Sequence, residues 1–354
     1  MPSTMGARTG CLLGRIRLGF GGDAGIAVPE NLSAVTRQGD GTLWLAADEL
    51  AALDVLRPEG PRAHAYHGHR RIPIASALGL EEDCEIDIEG LDLEGGALWV
   101  VGSHSAKRKK PKRKGKQDLA RLAEIETDLS RFVLTRIPLE NGSLQLDRRA
   151  HLSAHDEGAA SLIDLLEGDE HLDPFLPREG RVPIPGKDNG FDVEGLAVHD
   201  DCVLIGLRGP VLRGWAFVVE LAVEPQEGGA LSPRRRRKRV YRKHALDLDG
   251  LGVRELMIHG DDVLVVAGPT MTLDGAHRVF RWRRDTGRDD TLVQQGDALE
   301  PLFDLPMQVG RDRAEGACTF DWFDEGDSML VVYDAPSEMR RVGEDSVLAD
   351  VFAL

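Results

Sequence analysis

Short apolar segments return along this chain in pairs. The more apolar member of each pair reads Thr42-Leu43-Trp44-Leu45-Ala46, Leu98-Trp99-Val100-Val101, Val203-Leu204-Ile205-Gly206, Val263-Leu264-Val265-Val266 and Met329-Leu330-Val331-Val332. A shorter apolar stretch precedes each and is opened by a glutamate: Glu30-Asn31-Leu32, Glu89-Gly90-Leu91, Glu194-Gly195-Leu196, Glu255-Leu256-Met257 and Glu315-Gly316-Ala317. Runs this short and apolar read as strands. The glutamates stand about 60 residues apart, except for a gap of about 105 between Glu89 and Glu194. A strand-rich unit of that length suits a four-stranded propeller blade with long loops.

The pattern assigns 32–37, 42–47, 52–56 and 63–74 to unit one, and 91–93, 97–102, 132–139 and 144–152 to unit two. Unit three takes 196–198, 203–207, 216–223 and 240–246; unit four takes 256–259, 263–267, 277–283 and 299–305. Unit five has only 317–320, 329–333 and 347–352, while the apolar segment 12–20 at the other end is unused. Placing 12–20 as the outer strand of unit five closes a ring and removes a sheet edge. The expected fold is all-β: a single domain over residues 1–354, a five-bladed β-propeller of four-stranded blades closed by an N-terminal strand. Residues 153–189 are left over as a helical or irregular insertion, with helical spacing over 159–166 and a proline-rich piece over 174–185. A weak blade hidden there would make six; the assignment adopted is five. A second short helix is expected over 118–128.

Charge narrows the range of partners. The chain of 354 residues carries a formal net charge of −16, which disfavours specific nucleic-acid binding. Two basic runs interrupt it, Lys107 to Lys116 and Arg234 to Arg239. Such runs are read either as solvated loops or as a clamp for a polyanion. The first could rise beside the channel as a basic lid. No apolar stretch is long enough to cross a membrane, and residues 1–15 lack the apolar core of a secretory signal. The four cysteines (Cys11, Cys84, Cys202, Cys318) have no CxxC spacing and read as reduced thiols of a cytoplasmic protein.

The inner strand of each propeller blade lines the channel, so the motif glutamates Glu30, Glu89, Glu194, Glu255 and Glu315 are expected at one mouth. The second strands return to that rim, ending near Asp48 and Glu49, Ser103 and His104, Arg208, Pro269 and Thr270, and Asp334. Asp87, Asp192, Arg254 and Arg313 precede the motifs. Two accounts of the glutamates stand side by side. In one they cap the backbone of neighbouring blades, with glycine making room in a narrow ring. Or they converge as a site, because carboxylates held close repel one another unless a cation or arginines intervene. Oxygen ligands without cysteine suit Ca²⁺ or Mg²⁺, and the arginines suit an anionic small molecule.

The segments Asp87-Ile88-Glu89-Gly90-Leu91, Asp192-Val193-Glu194-Gly195-Leu196 and Ala314-Glu315-Gly316-Ala317, with Asn189-Gly190-Phe191 before the second, resemble those of the bacterial family named domain of unknown function 3616. More distantly they are similar to the Asp-x-Glu-Gly motifs of phytase-like esterase propellers. The first resemblance implies no activity; the second implies calcium-assisted hydrolysis of esters or phosphoesters, by analogy of fold. Unit four departs from the motif with Val253, Arg254 and Leu256, and unit one with Asn31. The expected site then has a cation held by Glu30, Glu89, Glu194, Glu255, Glu315, Asp87 and Asp192. Arg208 and Arg313 would stabilise developing charge, and His104 would act as general acid or base. The alternative is a non-catalytic ligand- or protein-binding propeller.

Overall fold

The paired apolar segments fold into antiparallel ladders. In the computed structural model, residues 9–21, 27–48, 50–60, 63–112, 117–153, 160–200, 202–235, 240–284, 289–322 and 327–354 are described. Unit one runs Leu32–Arg37, Leu43–Ala47, Ala52–Pro58 and Ala65–Pro73, each strand pairing with the next. Unit two runs Ile88–Glu94, Ala97–Gly102, Val133–Glu140 and Ala150–Ser153. Unit three is Asp192–His199, Cys202–Gly209, Trp215–Pro225 and Tyr241–Asp247, and unit four Gly252–His259, Asp262–Gly268, His277–Trp282 and Leu299–Leu305. Unit five is Arg313–Asp321, Asp327–Asp334 and Ser346–Ala353, followed by the N-terminal strand Leu12–Gly19. That strand runs antiparallel to Ser346–Ala353 and touches unit one in parallel through Arg17–Ala65 and Leu18–Tyr66.

The second strands are buried along their length, fully in units one to three and except at their ends in units four and five, which is why they read as apolar runs. Alternate side chains enter the wedges on opposite sides of each sheet. Trp44 and Ala46 pack with Leu98 and Val100 of unit two, while Leu43 and Leu45 pack with Leu330 and Val332 of unit five. The remaining wedges gather Val101 with Val203, Leu204 with Val265, and Leu264 with Val331 into common clusters. The sheets thus form a propeller-like ring, with the inner strands packed side by side. Gly90 is one reason they can: a Cβ there would lie 2.6 Å from that of Leu196.

Between units two and three, the described part of 154–191 holds no strand. Helix Leu162–Leu166 is capped by Ser161, whose hydroxyl accepts from the Asp164 amide while the Asp164 carboxylate accepts from the Ser161 amide. Leu162, Leu166 and Leu172 fill the wedge between the two units. Residues 154–159, including the expected helix start at Ala159, lie outside the described residues.

The helix expected over 118–128 covers only Gln117–Ala123. Ile125–Thr127 is instead a strand paired with Ala106–Arg108, with Glu126 opposite Lys107. The β-branched ends and the opposed charges favour that ribbon over a further helical turn. The same pairing tames the first basic run. Lys107 is bound to Glu85 and Asp87, Arg108 to Asp188, and Lys109 to Glu124 and Glu126 at 2.7 and 2.6 Å. Residues 113–116 of that run and 236–239 of the second lie outside the described residues, as does Glu49. None of the four cysteines is in a disulfide. Among the described residues no helix is long and apolar enough to cross a membrane.

Candidate site at the channel mouth

Each inner strand slips register against its partner near the mouth. The slips fall between Leu32 and Ala34, Ile88 and Gly90, Val193 and Gly195, Val253 and Glu255, and Ala314 and Ala317. A bulge frees a residue from the ladder and re-aims its side chain. The freed residues are Ser33, Glu89, Glu194 and Arg254, with Glu315 at the fifth. The rim therefore carries three carboxylates, a serine and an arginine rather than five glutamates.

Two expected members of the ring are corrected by this register. Glu30 ends the short helix Ala27–Glu30, three residues before the bulge, and its half-exposed carboxylate pairs with Arg341 at 2.9 Å. Glu255 lies one residue beyond the bulge, where units two and three place Gly90 and Gly195. Its buried carboxylate accepts the amides of Leu196 at 3.2 Å and Leu256 at 2.9 Å. Deeper in the channel, Asp92 likewise accepts the amides of Leu93 and Val198 at 2.7 and 2.6 Å. These two are backbone caps. Glu255→Ala leaves buried amides without a partner and is expected to cost about 2–4 kcal/mol in chemical denaturation, without changing any cation response at the mouth.

Asp48, Glu89 and Glu315 do converge: an oxygen from each lies within 4.8 Å of the other two. Burial pushes the Asp48 carboxyl well up, and Glu315, Asp87 and Asp334 add to it. Glu89 is raised in the same way by burial, Asp48 and Glu194. Glu315 is pushed to about 7 by burial and Asp334, with Arg254 opposing. Asp48 is a cluster member that the motifs do not reveal, since it follows the second strand of unit one.

The other predicted carboxylates are held by cations of the chain. Asp192 pairs with Arg208, and Glu194 pairs with Arg208 at 2.5 Å and Arg254 at 2.9 Å. Burial lifts Asp192 to about 6 against the pull of Arg208. Asp87 is buried too, but Lys107 and Arg131 beside it outweigh burial and leave its pKa below the usual value. Arg208 is itself buried between its two partners.

Facing the trio is a cationic wall. Arg254 donates to Glu315 at 3.0 Å and to the Pro269 carbonyl at 3.1 Å, in addition to Glu194. Arg313 pairs with Asp334 at 3.1 Å and stays part-exposed. Lys187 completes the wall and comes from the segment between units two and three. Its turn, Gly186–Asp188, is pinned by Asn189, whose side chain accepts the Val211 amide at 2.9 Å. A Cβ at Gly186 would lie 2.6 Å from the Asp192 carboxylate, so only glycine lets this turn sit so close. Among the described residues Lys187 makes no ion pair, yet its charge lowers the pKa of Asp48, Asp87, Asp192 and Glu315.

The histidine expectation is corrected as well. His104 is fully buried, stacks on Phe132 with ring centroids 5.6 Å apart, and binds the Gly102 carbonyl through Nδ1 at 2.7 Å. Burial lowers its pKa to about 4, so it stays neutral through the neutral range. The histidine that lines the mouth is His277, lowered to about 3 by burial and by Arg254.

A family described as Protein of unknown function (DUF3616) matches residues 31–350 of this chain. No curated protein matches. Similar solved structures include virginiamycin B lyase from Staphylococcus aureus, at 8% identity and TM-score 0.38 over 96% of this chain and 99% of that one. The calcium-binding protein regucalcin from Agrobacterium tumefaciens aligns at 10% identity and TM-score 0.39, covering 98% and 97%. A putative hydrolase from Bacteroides ovatus aligns at 10% identity and TM-score 0.36, covering 99% and 93%.

Proposed function

The chain belongs to the family described as Protein of unknown function (DUF3616), and from that premise we propose that its mouth holds a divalent cation, Ca²⁺ or Mg²⁺, and hydrolyses an anionic ester such as a phosphoester. One observation carries the reading: the oxygens of Asp48, Glu89 and Glu315 lie within 4.8 Å of one another, beside a wall of guanidinium groups. The donors are all oxygen, which suits a hard cation, and their mutual repulsion is what a cation relieves. A bound cation supplies Lewis-acid polarisation of an ester or phosphoryl oxygen.

The chain's own residues set the rest. Arg254 is fixed by three bonds, so its orientation precedes substrate. Arg313 and Lys187 lie on the open side and can take up an anion's oxygens. With His104 and His277 at about 4 and 3, proton transfer near neutral pH falls to carboxylates rather than imidazole.

A non-catalytic ligand- or protein-binding propeller is the second reading. It is favoured by Asp192, Glu194 and Glu255, whose carboxylates are all bound within the fold. Thermal melts with Ca²⁺, Mg²⁺ or Mn²⁺ against EDTA separate the two. A cation at a hundredfold excess over its Kd adds roughly 2.7 kcal/mol. The expected result is a shift present in the wild type and absent in Asp48→Asn and Glu89→Gln, followed by phosphoesterase turnover that EDTA abolishes. No shift with any of the three metals removes the hydrolase reading.

A further inference from the structure

The charged mouth has an apolar surround. Of the eleven large apolar side chains exposed among the described residues, nine belong to loops 103–132, 154–191, 269–276, 306–312 and 335–345. All five loops join strand ends on the mouth face. The described hairpin turns between inner and second strands, on the opposite face, carry none. Leu292, between the third and fourth strands of unit four, and Leu12, at the start of the N-terminal strand, are the other two. Scattered exposed apolar residues are ordinary; nine of eleven on one face is a concentration.

The apolar groups also enter the cavity. Met271, Leu273 and Met307 line it beside Lys187, Arg254 and Arg313. Leu273 stands 62% exposed and Val309, on the loop of Met307, 85%. The two loops are joined: the Gly310 amide donates to Asp274 at 2.8 Å. The cavity thus has an acidic wall, a cationic wall and an apolar wall. Methionine suits an apolar wall that must fit more than one shape.

We infer that the ligand of this mouth is amphipathic: one phosphate or carboxylate group set against Lys187, Arg254 and Arg313, and an alkyl or aryl body laid along Met271, Leu273 and Met307. A sugar phosphate fits poorly, because its hydroxyls would meet thioethers and a leucine in place of hydrogen-bonding partners. The inference rests on the anion-binding reading of the mouth and names the class of anion.

The test is calorimetry on the full chain with Ca²⁺, using inorganic phosphate, glucose 6-phosphate and octyl phosphate below its micelle concentration. A buried methylene strengthens binding about fourfold. Octyl phosphate is therefore expected to bind at least ~30-fold more tightly than inorganic phosphate, and glucose 6-phosphate no better than inorganic phosphate. The double variant Met271→Ser, Leu273→Ser alters exposed positions, so it keeps the fold and the phosphate affinity but loses about tenfold toward octyl phosphate. Phosphate binding without an octyl preference, or a preference untouched by the double variant, overturns the amphipathic class and leaves the charged mouth standing. Binding of none of the three overturns both.

Discussion

Arg208→Met is expected to cost about 3–5 kcal/mol of folding stability at neutral pH, the loss typical of a buried ion pair deprived of one partner. Among the described residues Arg208 is the only cation ion-paired with Asp192, and it shares Glu194 with Arg254. Its removal leaves these carboxylates buried next to Glu89 and Glu315, in a mouth where burial, and repulsion after it, already raises several pKa values. The pH dependence checks the cause. Asp192 titrates at about 6 with Arg208 present, and higher without it. Through Asp192, the contribution of Arg208 is therefore full only above the variant's higher value and falls away as pH drops toward 6. Denaturant melts at pH 5 and pH 8 should show the smaller loss at pH 5. Arg313→Met breaks a part-exposed pair and should cost less than about 1 kcal/mol. Equal losses for the two arginines, at both pH values, would contradict this account.

Most strands are legible in the sequence because the middle of each second strand is buried on both faces and must be apolar, as in Leu43–Ala47 and residues 203–207. The unpaired segment at the N-terminus could be placed because unit five was one strand short. The ring of side chains was harder to read. Its members are set by where each ladder bulges, and a bulge shifts register by one residue without changing the apolar pattern. Glu255 carries the motif letter but stands at the glycine position, whereas Arg254 stands at the bulge. In unit one the freed residue is Ser33, whose hydroxyl donates to the Ile88 carbonyl at 2.6 Å, and the glutamate nearby belongs to the preceding helix.

Asp48, expected at the rim but not among the cation ligands, and Lys187, not singled out at all, were missed for another reason. Neither lies in a repeated motif, and each reaches the mouth from a connection whose path depends on packing. Lys187 depends on Leu162, Leu166 and Leu172 anchoring the segment before it in the wedge between units two and three. Only the folded ring shows that a lysine from that segment overhangs carboxylates from units one, two, three and five.

As pH rises from 5 to 8, the metal-free protein should lose stability relative to Glu315→Gln. Glu315 carries a carboxyl raised from 4.5 to about 7 on folding. Its contribution is fully present below the unfolded value and is lost as pH climbs through the folded one. The difference between wild type and variant across this window is of the order of 2 kcal/mol, measured by denaturant melts in EDTA. Asp48 and Glu89 shift in the same direction, so Glu89→Gln should behave alike. Saturating Ca²⁺ should act in the opposite sense, because a cation competes with protons for the same oxygens and holds best when they are ionised. The wild-type curve should then flatten or rise with pH, while that of Glu315→Gln changes little. Parallel wild-type and variant curves in EDTA would mean that Arg254 and Lys187 already neutralise the trio. The mouth would then have no repulsion for a cation to relieve, and the binding-scaffold reading would take precedence.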